Sequence, residues 1–267
     1  MMKIFTVTKK NLLMAGGIIL CGLIISLGFI KGFSVATMSQ KKLTPIYCVQ
    51  TDKKVVCLSF DAGWGNEDTQ KLIDILGKYN IKATFFLVGQ WVDKYPDSTK
   101  ALSDAGHSIQ NHSNTHPYMT QLSAENMKNQ VEECNKKIEK ITGKKPLLLR
   151  PPYGDYNNTL VKTLEGMGMY SVQWDVDSLD WKDYDAQTIY NNVVPKVKPG
   201  SIILFHNAAL HTPEALPKII EELKKQGYSF MTIADLIYKT DYHIDGTGMQ
   251  ISDITNAATV PASTIKS

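Results

Sequence analysis
Short, largely β-branched apolar runs that alternate with helical stretches constrain this chain more than any other feature of it. Residues 55–60 (VVCLSF), 83–88 (ATFFLV), 147–149, 170–174, 201–205 and 228–232 read as buried strands. A helix capped by Asn66 or Asp68 is expected to run to about Tyr79, with Leu72, Ile73, Ile75 and Leu76 on its apolar face. Another ends near Gly106. The clearest starts at the Ser123 cap, where Met127, Val131, Cys134, Ile138 and Ile141 recur every three or four residues; Gly143 and Pro146 stop it. Further helices are expected over 155–167, 185–194 and 213–226. Strand–helix alternation of this kind implies an α/β fold with a largely parallel sheet, either open or closed into a barrel.

The start of the chain reads differently. Residues 11–30 form an uncharged and almost wholly apolar stretch, preceded by Lys3, Lys9 and Lys10. About 20 such residues span a hydrocarbon core of roughly 30 Å, and the flanking lysines place the N-terminus in the cytoplasm. The predicted organisation is a cytoplasmic basic segment over 1–10, a transmembrane anchor over 11–31, a linker over 32–52, one catalytic-type domain over 53–238 and a flexible tail over 239–267. This is a single-pass protein of the cell membrane with an extracytoplasmic domain. The alternative is secretion after cleavage of a signal peptide near Ser34-Val35-Ala36. Four of the 29 basic residues lie in residues 1–32, which hold no acid, so the remaining 25 face 26 acids. A body so close to neutral argues against nucleic-acid binding. Cys134 reads as a small buried hydrophobe; a Cys48–Cys57 bridge is left open by the spacing.

Five polar clusters follow the expected strands, where parallel α/β folds collect their chemistry. They are Asp61-Ala62-Gly63-Trp64-Gly65, His112-Ser113-Asn114-Thr115-His116, Arg150-Pro151-Pro152-Tyr153-Gly154, Trp174 to Trp181, and Leu204-Phe205-His206-Asn207. Each has a plain reading as well. Asp61 could cap a helix, His112 and His116 could share a spacing by chance, and Arg150 could sit in a stiff solvated loop. Trp181 and His206 could belong to a core. Asp175, Asp177 and Asp180 lack the glycine and glutamate of a calcium loop. Their common phase favours a site. No G-x-S-x-G elbow, H-E-x-x-H or Walker A loop is present, which disfavours serine hydrolases, zincins and nucleotide-dependent enzymes.

In order and wording the five clusters resemble the polysaccharide deacetylases, the NodB-homology domain of carbohydrate esterase family four, over about residues 53–238. The motifs that carry the resemblance are Ser59-Phe60-Asp61, the H-S-N-T-H-P run from His112, R-P-P-Y-G from Arg150, Asp177 to Trp181, and L-F-H ending at His206. The resemblance implies an irregular (β/α) barrel, which would follow the one N-terminal transmembrane helix expected from the apolar run. It also implies hydrolysis of N-acetyl groups on peptidoglycan or another N-acetylated glycan, with no nucleotide. D-A-G-W-G is similar to a branch associated with sporulation in Gram-positive bacteria. By the same likeness, His112 and His116 would hold a divalent metal, usually zinc, and Asp61 would be the general base, paired with Arg150. His206, oriented by Asp180, would be the general acid. The Tyr153 backbone N–H would bind the oxyanion, while Trp181 and Leu204 would wall the acetyl pocket. One position departs from the pattern. The family's second aspartate, a metal ligand, is Ala62 here; Asp61, Glu67 or Asp68 would complete the ligand set, or a metal held weakly by the two imidazoles would suffice. Otherwise the protein would be a weak or inactive glycan binder of the cell envelope. An O-acetyl esterase is a third possibility within the same constellation.

Overall fold
The computed structural model describes residues 42–254. In chain order its elements begin with β1 (Cys48–Val49), β2 (Val55–Ala62), α1 (Thr69–Lys78), β3 (Thr84–Leu87), α2 (Gly89–Lys94), α3 (Pro96–Asp104) and β4 (Ser108–Asn111). There follow α4 (Ala124–Thr142), β5 (Leu148–Leu149), α5 (Asn158–Gly166), β6 (Tyr170–Ser171), β7 (Val176–Asp177), α6 (Ala186–Val193) and β8 (Ile202–His206). The chain closes with α7 (Thr212–Lys225), β9 (Ser229–Phe230), α8 (Ile233–Leu236), β10 (Tyr242–Ile244) and β11 (Met249–Ser252).

Every residue of β2 is buried, and β2 is the centre of a parallel sheet ordered β6-β5-β4-β3-β2-β8-β7, with β9 beside the start of β2. The sheet is curled rather than flat. Its two end strands, β6 and β7, do not pair with each other; residues 172–175 of the chain join them directly. The expected α/β fold with a curled parallel sheet is therefore present, although the ring of hydrogen bonds stays open at that join. Strand parity divides the core. Val56, Leu58, Phe60 and Ala62 pack outward against α1, α7 and their neighbours, and the rings of Phe85, Phe60 and Phe205 stack in succession there. Val55 and Cys57 face inward with Phe86, Leu148 and Ile202. α4 forms as its sequence signals require. Ser123 Oγ accepts the Asn126 N–H, Gly143 ends the helix at φ 68°, and Met127, Val131, Cys134 and Ile138 are buried along one stripe.

Two boundaries differ from expectation. β10 and β11 form an antiparallel pair, and β11 also runs parallel to β1, so residues 242–252 of the expected tail and 48–49 of the expected linker build a second, three-stranded sheet. Ile46 is buried and bridges to Val172, and the amide of buried Gln250 bonds both the N–H and the carbonyl of Tyr238. These segments carry too few apolar residues to announce order. They are ordered by pairing with partners about 200 residues away in sequence. Cys48, Cys57 and Cys134 are free and buried, so no Cys48–Cys57 bridge forms. Among the described residues no helix is long and apolar enough to cross a membrane; the run over 11–31 lies outside them.

Candidate active site
The parallel register turns strand parity into a site. Asp61 of β2 lies opposite His206 of β8 and Phe86 of β3, and Ser59 lies opposite Leu204. Residues opposed in a parallel ladder face the same side of the sheet, so all five share the inner face. Gln110 is opposite Phe86, which puts His112, two residues further, on that face too; Asp177 joins it opposite Leu204. A cleft of about 460 Å³ opens at these strand ends, lined by Asp61, His112, His116, Asp177, Leu204 and His206. Its remaining walls are aromatic: Trp64, Tyr153, Trp174 and Trp181. All the residues expected at the site therefore meet, seven lining the cleft and Arg150 and Asp180 buried behind it.

Arg150 is the only arginine in the chain and is fully buried. Its guanidinium donates to Asp61 Oδ1 at 2.7 Å, to Ser59 Oγ at 2.8 Å and to the Gln173 carbonyl at 3.1 Å. The group lies 4.2 Å from the Phe86 ring centroid, so an apolar face backs the ion pair. Burial acts to raise the Asp61 carboxyl, but the Arg150 charge, aided by His112 and His206, overrides it and holds Asp61 below the usual carboxylate range. Asp61 is thus ionised, with Oδ1 committed to Arg150 and Oδ2 turned to His112 Nε2 at 3.5 Å.

On the neighbouring strand, His206 Nδ1 bonds Asp180 Oδ1 at 2.8 Å. The other Asp180 oxygen accepts the His206 backbone N–H at 2.8 Å and the Thr212 hydroxyl at 2.6 Å. Burial acts to lower the imidazole pKa. The hydrogen bond and charge of Asp180, with the charges of Asp61 and Asp177, outweigh it and leave His206 raised above its ordinary value. The charged form of His206 is therefore favoured beside an ionised Asp61 on the neighbouring strand.

His112 and His116 are brought together by a tight turn in which Ser113 and His116 take φ of 67° and 58°. Such left-handed non-glycine residues persist only where the surroundings hold them. Here Ser113 N–H donates to Asn111 Oδ1, and His116 N–H to Ser113 Oγ. Gln130 on α4 accepts the backbone N–H groups of both Asn114 and Thr115, at 3.0 and 2.9 Å. The two imidazole centroids lie 4.9 Å apart. His112 Nδ1 donates to the Arg150 carbonyl at 2.7 Å, which leaves the Nε2 lone pair free to face the cleft. Burial lowers the His112 pKa against the pull of Asp61, and burial with the nearby His112 takes His116 down to about 4. Neutral, converging imidazoles fit a divalent cation as a two-point hold. Among the described residues no group of three His, Cys, Asp or Glu is placed to complete a cage. Ala62 offers no donor, Glu67 is exposed, and Asp68 lies against the Ala208 backbone; neither carboxylate lines the cleft. Of the three carboxylates considered for completing the set, only Asp61 faces the imidazoles.

Residues 49–172 match the family model for polysaccharide deacetylases. The peptidoglycan-N-acetylmuramic acid deacetylase PdaA of Bacillus subtilis is 35% identical over 208 residues, covering 76% of this chain and 79% of that protein. The chain belongs to the polysaccharide deacetylase family. A peptidoglycan-N-acetylglucosamine deacetylase of Bacillus cereus is 36% identical over 69% of each chain. Among solved structures, the wild-type form of a family-four pseudoenzyme from Bacillus anthracis superposes with a TM-score of 0.71 at 36% identity, covering 74% of this chain and 72% of that one.

Several members of this deacetylase site escaped the sequence reading. Ser59 was legible only as part of a motif, yet it shares the Arg150 fork; Thr212 and Gln130 sit on helices and look like ordinary surface-helix polar residues. Trp64, Trp174 and Asp177 line the cleft from within the clusters, although no role was expected of them there. One signal was available in the sequence. A chain that uses lysine everywhere else has a single arginine, at the start of R-P-P-Y-G. Lysine cannot supply a planar fork, and this position requires one.

Proposed function
We propose that this protein is a hydrolase that removes N-acetyl groups from peptidoglycan amino sugars, held at the outer face of the cell membrane by residues 11–31. What carries the reading is that Asp61, held ionised, and His206, biased toward its charged form, stand side by side on adjacent strands at a cleft that also holds the imidazoles of His112 and His116. A divalent metal such as zinc, held by His112 and His116, would polarise the acetyl carbonyl and acidify a water molecule. Asp61 Oδ2, left free by the Arg150 fork, takes the proton as water adds to that carbonyl. The Tyr153 backbone N–H is the donor offered to the oxygen that becomes negative. When the C–N bond breaks, His206 passes its proton to the departing sugar amine, and acetate is left behind. Asp180 keeps the His206 ring aimed and favours its charged form until that proton is passed on.

The test is acetate release from purified peptidoglycan fragments with zinc supplied. Wild-type protein is expected to release acetate, and His206→Ala to be slower by about 10²–10⁴-fold, the usual worth of a general acid. Equal release by the two proteins would refute the assignment. A second reading, a glycan binder without turnover, draws on Ala62 at the ligand position and on the likeness to a pseudoenzyme. It predicts glycan binding that is unaffected by chelator and no acetate from the wild-type chain.

A further inference from the structure
The large hydrophobic side chains that this fold leaves exposed are not scattered. Among the described residues, six of the seven lie in segments that follow the carboxyl ends of strands, on the cleft side of the sheet. Three of them join one row. Trp64, Tyr153 and Tyr118 are 60%, 57% and 50% exposed. The Trp64 ring meets the His116 ring edge-on at 5.3 Å, His116 meets Tyr153 at 4.5 Å, and Tyr153 stacks on Tyr118 at 4.2 Å with 16° between the planes. Tyr153 holds this position at φ 60°, a strained backbone that a merely solvated tyrosine would not require. In the same cleft, Trp181 stands 56% exposed on a short turn whose flanking residues, Leu179 and Asp183, take φ of 56° and 54°. Single exposed aromatics are ordinary; a continuous row of them marks a recognition surface.

We propose that the Trp64–Tyr153–Tyr118 row is a platform for a glycan strand, engaging sugar units next to the one whose acetyl group enters the cleft. Trp64 and Tyr118 are then residues that set a preference for polymer over free acetylated sugar. The proposal rests on the glycan reading of the cleft. The row is continuous with that cleft, since His116 and Tyr153 belong to both. Trp64, Tyr153 and Tyr118 present indole and phenol rings, so the row offers flat π faces rather than ion-pairing groups. The C–H faces of pyranose rings complement such faces, whose electron density lies above and below the ring. A phosphate- or peptide-reading surface would be expected to carry cations or hydrogen-bonding side chains instead.

The test uses the full chain with Trp64→Ala, Tyr118→Ala and Tyr118→Phe, each checked for an unchanged thermal midpoint. Co-sedimentation with purified peptidoglycan sacculi reads binding without turnover. Each alanine variant is expected to bind about 3- to 10-fold more weakly, as stacking contacts of this kind are worth, and Tyr118→Phe to bind as wild type. For Tyr118→Ala, KM should rise by a similar factor on N-acetylglucosamine tetramer and stay unchanged on the monomer. A chain that releases no acetate yet loses sacculus binding in the alanine variants supports the platform and removes only the catalytic reading. Unchanged sacculus binding in both alanine variants overturns the proposal. So does a loss confined to phosphatidylglycerol vesicles, which would assign the row to a membrane.

Discussion
Arg150 concentrates the demands of this site into one side chain. It neutralises Asp61, satisfies Ser59 and the Gln173 carbonyl, and lies over Phe86, all without contact with solvent. A lysine keeps the charge but not the fork, so Arg150→Lys should leave at least one buried acceptor unpaired. The expected cost is about 1–3 kcal/mol of stability, read from the midpoint of urea unfolding. Acetate release should fall on the order of 10²-fold as Asp61 loses its alignment. Wild-type values for both would mean that a point charge is sufficient there. Ala62 shows the reverse case. It continues the outward parity of Val56, Leu58 and Phe60 into the apolar core, so the substitution that removes a ligand leaves the packing of β2 coherent.

At the scale of elements, α4 does more than cover the sheet. Its apolar stripe was evident from the spacing, but its functional contact comes from the half-buried Gln130, which holds the Asn114–Thr115 backbone and with it the turn between His112 and His116. Gln130→Leu strips two N–H groups of their acceptor. It should lower the thermal midpoint by about 2–8 °C, given about 1–2 kcal/mol for a domain of this size, and slow acetate release. Gln130→Glu keeps the acceptor and should restore most of both. If the leucine variant melts and turns over like wild type, the turn is held by Asn111 and Ser113 alone. α4 was readable because its Ser123 cap bonds the first turn locally, as Asn157 and Asp185 do for α5 and α6, whereas Asp68 makes no such bond at the start of α1. The side-chain clamp was not, because glutamine on a helix surface has no local signature.

For the molecule as a whole, stability should depend on pH through buried histidines. His107 is buried beside Phe85, with its Nδ1 accepting the Ala83 N–H, and burial, reinforced by Lys82, lowers its pKa to about 4. The unfolded chain binds this proton near pH 6.5 and the folded chain does not. The contribution is therefore complete above about pH 6.5, declines as pH falls toward 4, and changes no further below. Its full size is about 3 kcal/mol. His107→Asn retains an acceptor for Ala83 and should flatten that part of a plot of thermal midpoint against pH. An unchanged slope would assign the acid sensitivity to other groups. The second sheet belongs to this scale too. It joins residues 48–49 to 249–252, and no local pattern could announce a pairing whose partners are so distant.

By itself the sequence determined the alternation of strands and helices, the phase in which polar clusters follow strands, and the residue types gathered in those clusters. These are local properties: hydrophobic period, capping chemistry and motif spacing act within about a dozen residues. Tertiary structure alone decided that Asp61 and His206 stand side by side, that Glu67 and Asp68 lie outside the cleft lining, and that Trp64, Tyr153 and Tyr118 form one row. It also decided that the polar stretch after Thr240 is partly strand. Those outcomes depend on register, parity and long-range pairing, which join residues through space, and a one-dimensional pattern carries no record of which distant strand a strand will meet.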